Sequence, residues 1–382
     1  MSSFELEDVF DYFSRQFKRW RRLPLLPFWV VVILGALGVL MLYSAGGGNL
    51  SPWAMRHAVR FLLCLALMIA IALVDIRIWL KYSYIFYVIL IGLLLAVEIK
   101  GVAGMGAQRW IDLGVVQLQP SELMKIGLIL VLARYYHGLP LEDVKSFRAL
   151  IPPLLLILLP VILVLRQPNL GTAMMLILAG GAIMFLAGVR WWLFVGAALG
   201  ALGAAPVIWH FLHAYQKQRV LTFLDPERDP LGAGYHIMQS KIALGSGGFF
   251  GKGFLEGTQS HLNFLPEKQT DFIFTVLAEE MGMLGALIIL ILYGILFVYG
   301  FFLAQRATSQ FGRLLAMGLT LNLFLYLFIN IGMVMGLLPV VGVPLPLLSY
   351  GGTSMLAVMI GFGLLFGLDV HDDQRIPLRG VG

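Results

Sequence analysis

Residues Phe264–Gly282 read FLPEKQTDFIFTVLAEEMG, and how this stretch is read decides the fold. A polar segment ending near Thr270 gives way to an apolar run over 271–304. One carboxylate, Asp271, stands at the threshold of that run, and two more, Glu279 and Glu280, lie inside it. A bilayer span needs roughly 20 apolar residues, so the run is long enough to cross. Carboxylates at such depth are costly and are kept where a partner or a polar cavity receives them.

Outward from this stretch, similar apolar runs recur near 28–45, 58–75, 80–99, 120–137, 149–166, 171–188, 190–212, 311–337 and 345–368, about ten in all by the same length criterion. The 382 residues are 59% hydrophobic and 13% charged, with a mean hydropathy of +0.88. Soluble domains carry about 25% charged residues. The pattern predicts an all-α polytopic membrane protein of about ten transmembrane helices, with a long loop, 213–270, between spans 7 and 8. The first run follows RQFKRWRR and is longer than the ~7–15 apolar residues of a signal peptide, so it reads as an uncleaved span. The single cysteine, Cys64, cannot form an internal disulfide and reads as core packing. The net charge of +6 does not by itself indicate nucleic acid, and no nucleic-acid partner is expected. In a membrane protein the placement of Lys and Arg matters more than their sum.

That placement orients the chain. Arg15, Lys18, Arg19, Arg21, Arg22, Arg77, Lys81, Arg134, Lys145, Arg148, Arg190, Arg306, Arg313, Arg375 and Arg379 fall on one set of ends and short loops. The opposite short loops hold Arg56, Arg60, Lys100, Arg109 and Arg166. The positive-inside rule makes the first side cytoplasmic, with both termini on it. The expected organisation is a cytoplasmic segment 1–27, a single membrane domain 28–368 that includes the extracytoplasmic loop 213–270, and a cytoplasmic tail 369–382. Arg109, Glu122, Lys125, Arg166, the basic loop and Asp271 then gather at the outer face.

Within the long loop, HAYQKQRVLTFL and GYHIMQSKIALGS mix basic and apolar residues at near-helical spacing, which suits short helices at the membrane surface or ordinary loop helices. GSGGFFGKG is a glycine-rich turn without the Gly-Lys-Ser/Thr of a P-loop. The pairs Gly196–Gly200 and Gly332–Gly336 have the spacing that lets membrane helices approach closely. Pro152, Pro153 and Pro160 are expected to bend the fifth span. In LLPVVGVPLPLLSYGG, Pro339, Pro344 and Pro346 with Gly342 prevent a regular helix. Irregular backbone at membrane depth is tolerated where protein buries it or where it lines a cavity, so this segment reads as a wall or plug on the outer side.

Four residues could carry chemistry or merely hold the fold. Glu122 and Lys125, in QPSELMKIG, share a helix face and can pair, either as a structural bridge or as part of a substrate wall. Arg109, beside Trp110, suits an interfacial anchor or a ligand. Asp271 suits a helix cap, favoured by the helix dipole, or a partly desolvated acid–base group. In RQPNLGT, Asn169 with Gly171 reads as a turn and a helix cap.

The segments GAQRWIDLGVVQLQPSELMKI, YQKQRVLTFLDPERDPLGAGYHIMQSKIALGSGGFFGKG, GTQSHLNFLPEKQTDFIFTVLAEEMG and NIGMVMGLLPVVGVPLPLLSYGGTS together resemble the SEDS family (shape, elongation, division and sporulation), most closely its elongation branch. The resemblance implies a ten-span peptidoglycan glycosyltransferase of the bacterial cytoplasmic membrane. It implies polymerisation of lipid II on the outer leaflet, with release of undecaprenyl pyrophosphate. It also implies a class B penicillin-binding protein, a transpeptidase, as partner, together with other elongation-complex membrane proteins. The family's catalytic aspartate falls on Asp271, and its motif Glu and Lys fall on Glu122 and Lys125. Where the family commonly has Pro-Asp, this chain has Pro168-Asn169, which puts in doubt a role there that needs negative charge.

A pyrophosphate leaving group needs cations rather than a proton, so the chemistry asks for one base. The expectation is an inverting displacement in which Asp271 takes the proton of an acceptor sugar hydroxyl. Lys125, Arg109, Lys252 and Lys268 are the candidate cations for the pyrophosphate. A divalent cation is compatible with that chemistry, but no metal-ligand spacing requires it. A lipid II flippase and a non-catalytic scaffold for wall synthesis are the competing readings; a transporter would place ionisable groups at mid-membrane depth.

Overall fold

The computed structural model describes residues 22–371 apart from 105–106, 113, 115–116, 141, 212–213, 226–231, 263 and 266. Most of the expected terminal segments, 1–21 and 372–382 with Arg15, Lys18, Arg19, Arg21, Arg375 and Arg379, lies outside the described residues, as does Arg228.

Each of the apolar runs folds as a helix. The order is α1 (Leu25–Ala45), α2 (Ala54–Leu73), α3 (Ile76–Lys100), α4 (Pro120–His137), α5 (Phe147–Arg166), α6 (Leu170–Ala187) and α7 (Trp191–Phe211). The loop helices α8 (Ala214–Leu224), α9 (Ala233–Ser246) and α10 (Thr258–His261) follow, then α11 (Ile273–Arg306), α12 (Gln310–Val334) and α13 (Gly352–Val370). Among the described residues, eight helices are long and apolar enough to cross a membrane: α1, α2, α3, α5, α6, α11, α12 and α13. Helix α4 dilutes its apolar residues with Glu122, Lys125 and Arg134. It is nevertheless buried on nearly every face, packed by α3, α5, α6, α12 and α13. It is the axis of the bundle, and its Pro120 occupies the first helical position, where the missing N–H costs nothing.

The fold is not purely helical. The connection before α4 forms a small antiparallel sheet of β1 (Val102–Gly104), β2 (Ala107–Asp112) and β3 (Gln117–Leu118), in the order β1-β2-β3. The two amphipathic stretches of the long loop are helical as expected, in α8 and α9. Helix α9 docks on the bundle, where Ser240 Oγ lies 2.9 Å from Thr275 Oγ1 and donates to the Val334 carbonyl at 2.9 Å. Helix α5 continues through all three of its prolines.

The glycine-packing expectation is corrected for Gly196 and Gly200, where a Cβ would meet open space. At the other pair the approach is close: a Cβ would stand 2.8 Å from Leu338 at Gly332, and 2.2 Å from Lys241 of α9 at Gly336, which lies beyond α12 at φ +71°. Close approach occurs also at Gly38 of α1, where a Cβ would stand 2.3 Å from the Leu347 carbonyl oxygen.

The apolar run from 271 conceals a break. Gly282 interrupts α11 at φ 66°, ψ −162°. The glycine-rich segment 247–253 fills the gap with backbone hydrogen bonds. Lys252 and Gly253 donate to the carbonyls of Glu279 and Glu280, and Met283 and Leu284 donate to those of Gly248 and Phe249. The helix's own bonds are exchanged for bonds to the loop, so the break leaves these groups satisfied. A Cβ on Gly251 would lie 2.0 Å from the Glu280 carbonyl oxygen, so the exchange requires glycine there.

Candidate active site

Helix α11 does not begin at Asp271. Residues Glu267–Phe272 form a turn closed by Thr270 N–H and Phe272 N–H donating to the Glu267 carbonyl, at 3.1 and 3.3 Å. Thr270 Oγ1 donates to Glu267 Oε2 at 2.9 Å. The helix starts at Ile273 with Phe272 as its cap residue and no side-chain capping bond. The capping reading of Asp271 is therefore corrected: its carboxylate is not used to end the helix.

The segment 335–351 crosses this turn in irregular conformation, as the prolines and Gly342 required. Tyr350 N–H donates to the Gln269 carbonyl at 2.8 Å, and Ser349 Oγ donates to the Thr270 carbonyl at 2.6 Å. From α12, Asn330 Nδ2 donates to the carbonyls of Asp271, at 2.9 Å, and Val343, at 2.7 Å. The backbone of Asp271 is thus fixed from two sides. Its Oδ2 points at Gly342, where an added Cβ would stand 3.5 Å away and where φ is +74°. Val341 also lies against α6, its carbonyl oxygen 2.9 Å from where a Gly171 Cβ would be.

The carboxylate sits in a recess, half-buried, and among the described residues it makes no hydrogen bond. Burial pushes its pKa from 3.8 up to about 7, and the negative charge of Glu267 adds to the rise. Arg219 of α8 and Arg109 of β2 oppose it. The group is poised at the pH where a general base combines availability with proton affinity.

The expected cations separate. Arg109 braces β2 to the turn before α6, donating from Nε to the Gln167 carbonyl at 3.2 Å and from Nη2 to the Pro168 carbonyl, while its charge reaches Asp271. Asn169 caps α6, accepting from Thr172 N–H at 3.4 Å. Lys268 lies on the Asp271 turn, nearly buried, and burial lowers its pKa. Lys252 points to Glu279, with Nζ 2.8 Å from Oε1 and from Thr258 Oγ1. Lys125 is 1% exposed, its Nζ 2.8 Å from Glu122 Oε1, 4.1 Å from the centre of the Tyr326 ring and 3.9 Å from Met175 Sδ. Tyr326 Oη donates to Glu122 Oε2. In this conformation the Glu122–Lys125 pair is a buried brace between α4 and α12.

Glu279 and Glu280 are fasteners. Glu279 Oε1 accepts from Lys252, Thr258 Oγ1 and Gln259 N–H, and Glu280 accepts from Ser44 of α1. Sequence reasoning did not single out Arg219, Asn330 or Glu267. Only the folding of α8 and α12 over the turn brings the first two to it. Among the described residues no three His, Cys, Asp or Glu side chains converge as a metal site would require.

The bundle, the broken α11 and the crossing 335–351 segment define a polytopic membrane protein with a recessed carboxylate at one end. The chain belongs to the FtsW/RodA/SpoVE family of cell cycle proteins, which it matches over residues 24–374. It is 47% identical to the peptidoglycan glycosyltransferase MrdB of Escherichia coli (strain K12), over 92% of this chain and 95% of that protein. It is 34% identical to the probable peptidoglycan glycosyltransferase FtsW of Aliivibrio salmonicida (strain LFI1238), over 89% and 87%. Among solved structures, a chain described under "structural coordination of polymerization and crosslinking by a peptidoglycan synthase complex" has a TM-score of 0.81 and 32% identity, covering 92% of this chain and 99% of that one. The Thermus thermophilus rod shape determining protein RodA has a TM-score of 0.68 and 30% identity, covering 91% and 97%.

Proposed function

We propose that this protein is a peptidoglycan glycosyltransferase of the elongation type, polymerising lipid II into β-1,4-linked glycan at the outer face of the bacterial cytoplasmic membrane. Both termini and the basic ends of the helices face the cytoplasm, as the distribution of Lys and Arg supports. The observation that carries the reading is the Asp271 carboxylate: its backbone fixed by Asn330, its oxygens without a hydrogen bond among the described residues, its pKa raised to about 7.

In the proposed reaction the 4-hydroxyl of the acceptor's N-acetylglucosamine gives its proton to Asp271. The oxygen forms a bond to C1 of the donor's N-acetylmuramic acid as the bond from C1 to the undecaprenyl pyrophosphate oxygen breaks. The leaving pyrophosphate carries away the bonding electrons and needs no proton. Arg109 and Arg219, whose charges already reach Asp271, supply positive potential, and Lys268 is the nearest cation along the chain. Lys252 orders the 247–258 segment through Glu279, and Glu122 with Lys125 sets the position of α12. A class B penicillin-binding protein would receive the strands for crosslinking, among other elongation-complex proteins.

The test is incubation of the purified chain with lipid II, alone and with the class B penicillin-binding protein. The expected product is a ladder of uncrosslinked glycan in at least one condition. Transbilayer movement of lipid II with no polymer in either condition would overturn the assignment in favour of transport.

A further inference from the structure

The corner between α6 and α7 reads LAGVRWW over 186–192. Gly188 ends α6 in the left-handed region at φ +103°, its N–H directed at the Met184 and Phe185 carbonyls. Val189 N–H returns to Met184 and Leu193 N–H to Arg190, so the chain reverses within three residues. Phe185 meets Phe194 edge to face, ring centres 5.6 Å apart, which holds the start of α7 to the end of α6. This tight reversal turns Arg190, Trp191 and Trp192 outward. The indoles stack with centres 4.0 Å apart and remain 53% and 62% exposed.

Lys145 stands across from them, on the 3-10 turn Asp143–Lys145 before α5. Between these elements lies an open cavity of about 900 Å³, lined by Lys145, Phe185, Gly188, Val189, Arg190, Trp191 and Trp192. Its charged lining is wholly cationic; Glu142 and Asp143 share the turn with Lys145 but do not line it. The cavity is separate from the Asp271 recess. Arg109 meets the turn after the C-terminal end of α5, and Lys145 precedes its N-terminal end, about 30 Å away for 20 residues. Beyond the corner the flanks are apolar and exposed, through Ile177 and Leu178 on α6 and Leu199 and Leu202 on α7.

Two cations, stacked indoles at a helix end and adjoining apolar flanks are what a lipid molecule meets at a bilayer surface. Tryptophan settles at headgroup level, and basic pockets between spanning helices hold anionic headgroups. A guanidinium and an ammonium converging on one space suit a phosphodiester. We propose that this corner binds an anionic phospholipid, its headgroup phosphate between Lys145 and Arg190 and its acyl chains along α6 and α7.

The full chain in phosphatidylcholine vesicles, doped with bromine-labelled phosphatidylglycerol or bromine-labelled phosphatidylcholine, tests this. The corner's fluorescence is obtained by difference from Trp191→Phe/Trp192→Phe. Brominated phosphatidylglycerol should quench it at lower mole fraction than brominated phosphatidylcholine. Lys145→Gln and Arg190→Gln should each raise the required fraction about fivefold. The charge-conserving Lys145→Arg/Arg190→Lys should retain the preference. Equal quenching by the two lipids, or a preference that survives Lys145→Gln/Arg190→Gln, would overturn the proposal. Competition by soluble glycerol phosphate would mark a site for free phosphate and overturn the lipid assignment, whereas failure to compete supports it.

Discussion

Asp271→Asn is expected to lower polymerisation of lipid II by about 10²–10⁴-fold, the usual contribution of a positioned general base. Asn fills the same volume, and the bonds that fix this residue, from Asn330 Nδ2 to its carbonyl, do not involve the side chain. Loss of activity would therefore report the missing base rather than a displaced turn. Stability supplies the control. A carboxyl whose pKa rises from 3.8 to about 7 on folding favours the fold while it is protonated, and that contribution fades as pH climbs toward 7. At higher pH the neutral Asn variant should be at least as stable as the parent. A variant that polymerises at the parental rate would remove Asp271 from the reaction.

Lys125→Met carries the second large effect. It leaves Glu122 buried with Tyr326 as its remaining side-chain partner among the described residues, and breaking one partner of a buried pair costs about 3–5 kcal/mol. The expected readout is a marked fall in the thermal unfolding midpoint of the detergent-solubilised protein. Glu122→Gln/Lys125→Met, which removes both charges, should recover much of it. The effect should extend to activity, because Tyr326 and Asn330 lie four apart on α12 and share a face. Tyr326 anchors that face to α4, and Asn330 presents it to Asp271. Equal destabilisation by the single and double variants would mean that packing volume, not charge pairing, is what the site supplies.

The spans were legible because apolar length is a local property: 120–137 read as one apolar run, and α4 covers Pro120–His137. The last span begins at Gly352 rather than near 345, because the Leu345–Tyr350 stretch is held by Ser349 and Tyr350 against the Asp271 turn. The break at Gly282 was not legible. Its apolar surroundings read as continuous helix, and only the return of 247–253 supplies the bonds that make the break affordable. The small sheet had no amphipathic signal, because Arg109 and Ile111 on one face and Trp110 and Asp112 on the other each mix a charge with an apolar residue. Asp271 stood out by position and resemblance, whereas Arg219 and Glu267 act on it through space. Lys125 had the motif of a site residue, but helix packing carries it inside.

The most direct measurement of the central claim is the pH dependence of kcat/KM for lipid II polymerisation by the parent, Glu267→Gln and Arg219→Gln. With Asp271 as base, the rate should rise with pH through an acid limb near 7. Glu267→Gln, which removes a repelling charge but keeps an acceptor for Thr270, should move that limb down. Arg219→Gln should move it up. A profile flat between about pH 5 and 8, or a limb that neither substitution moves, would contradict the assignment of Asp271 as the general base.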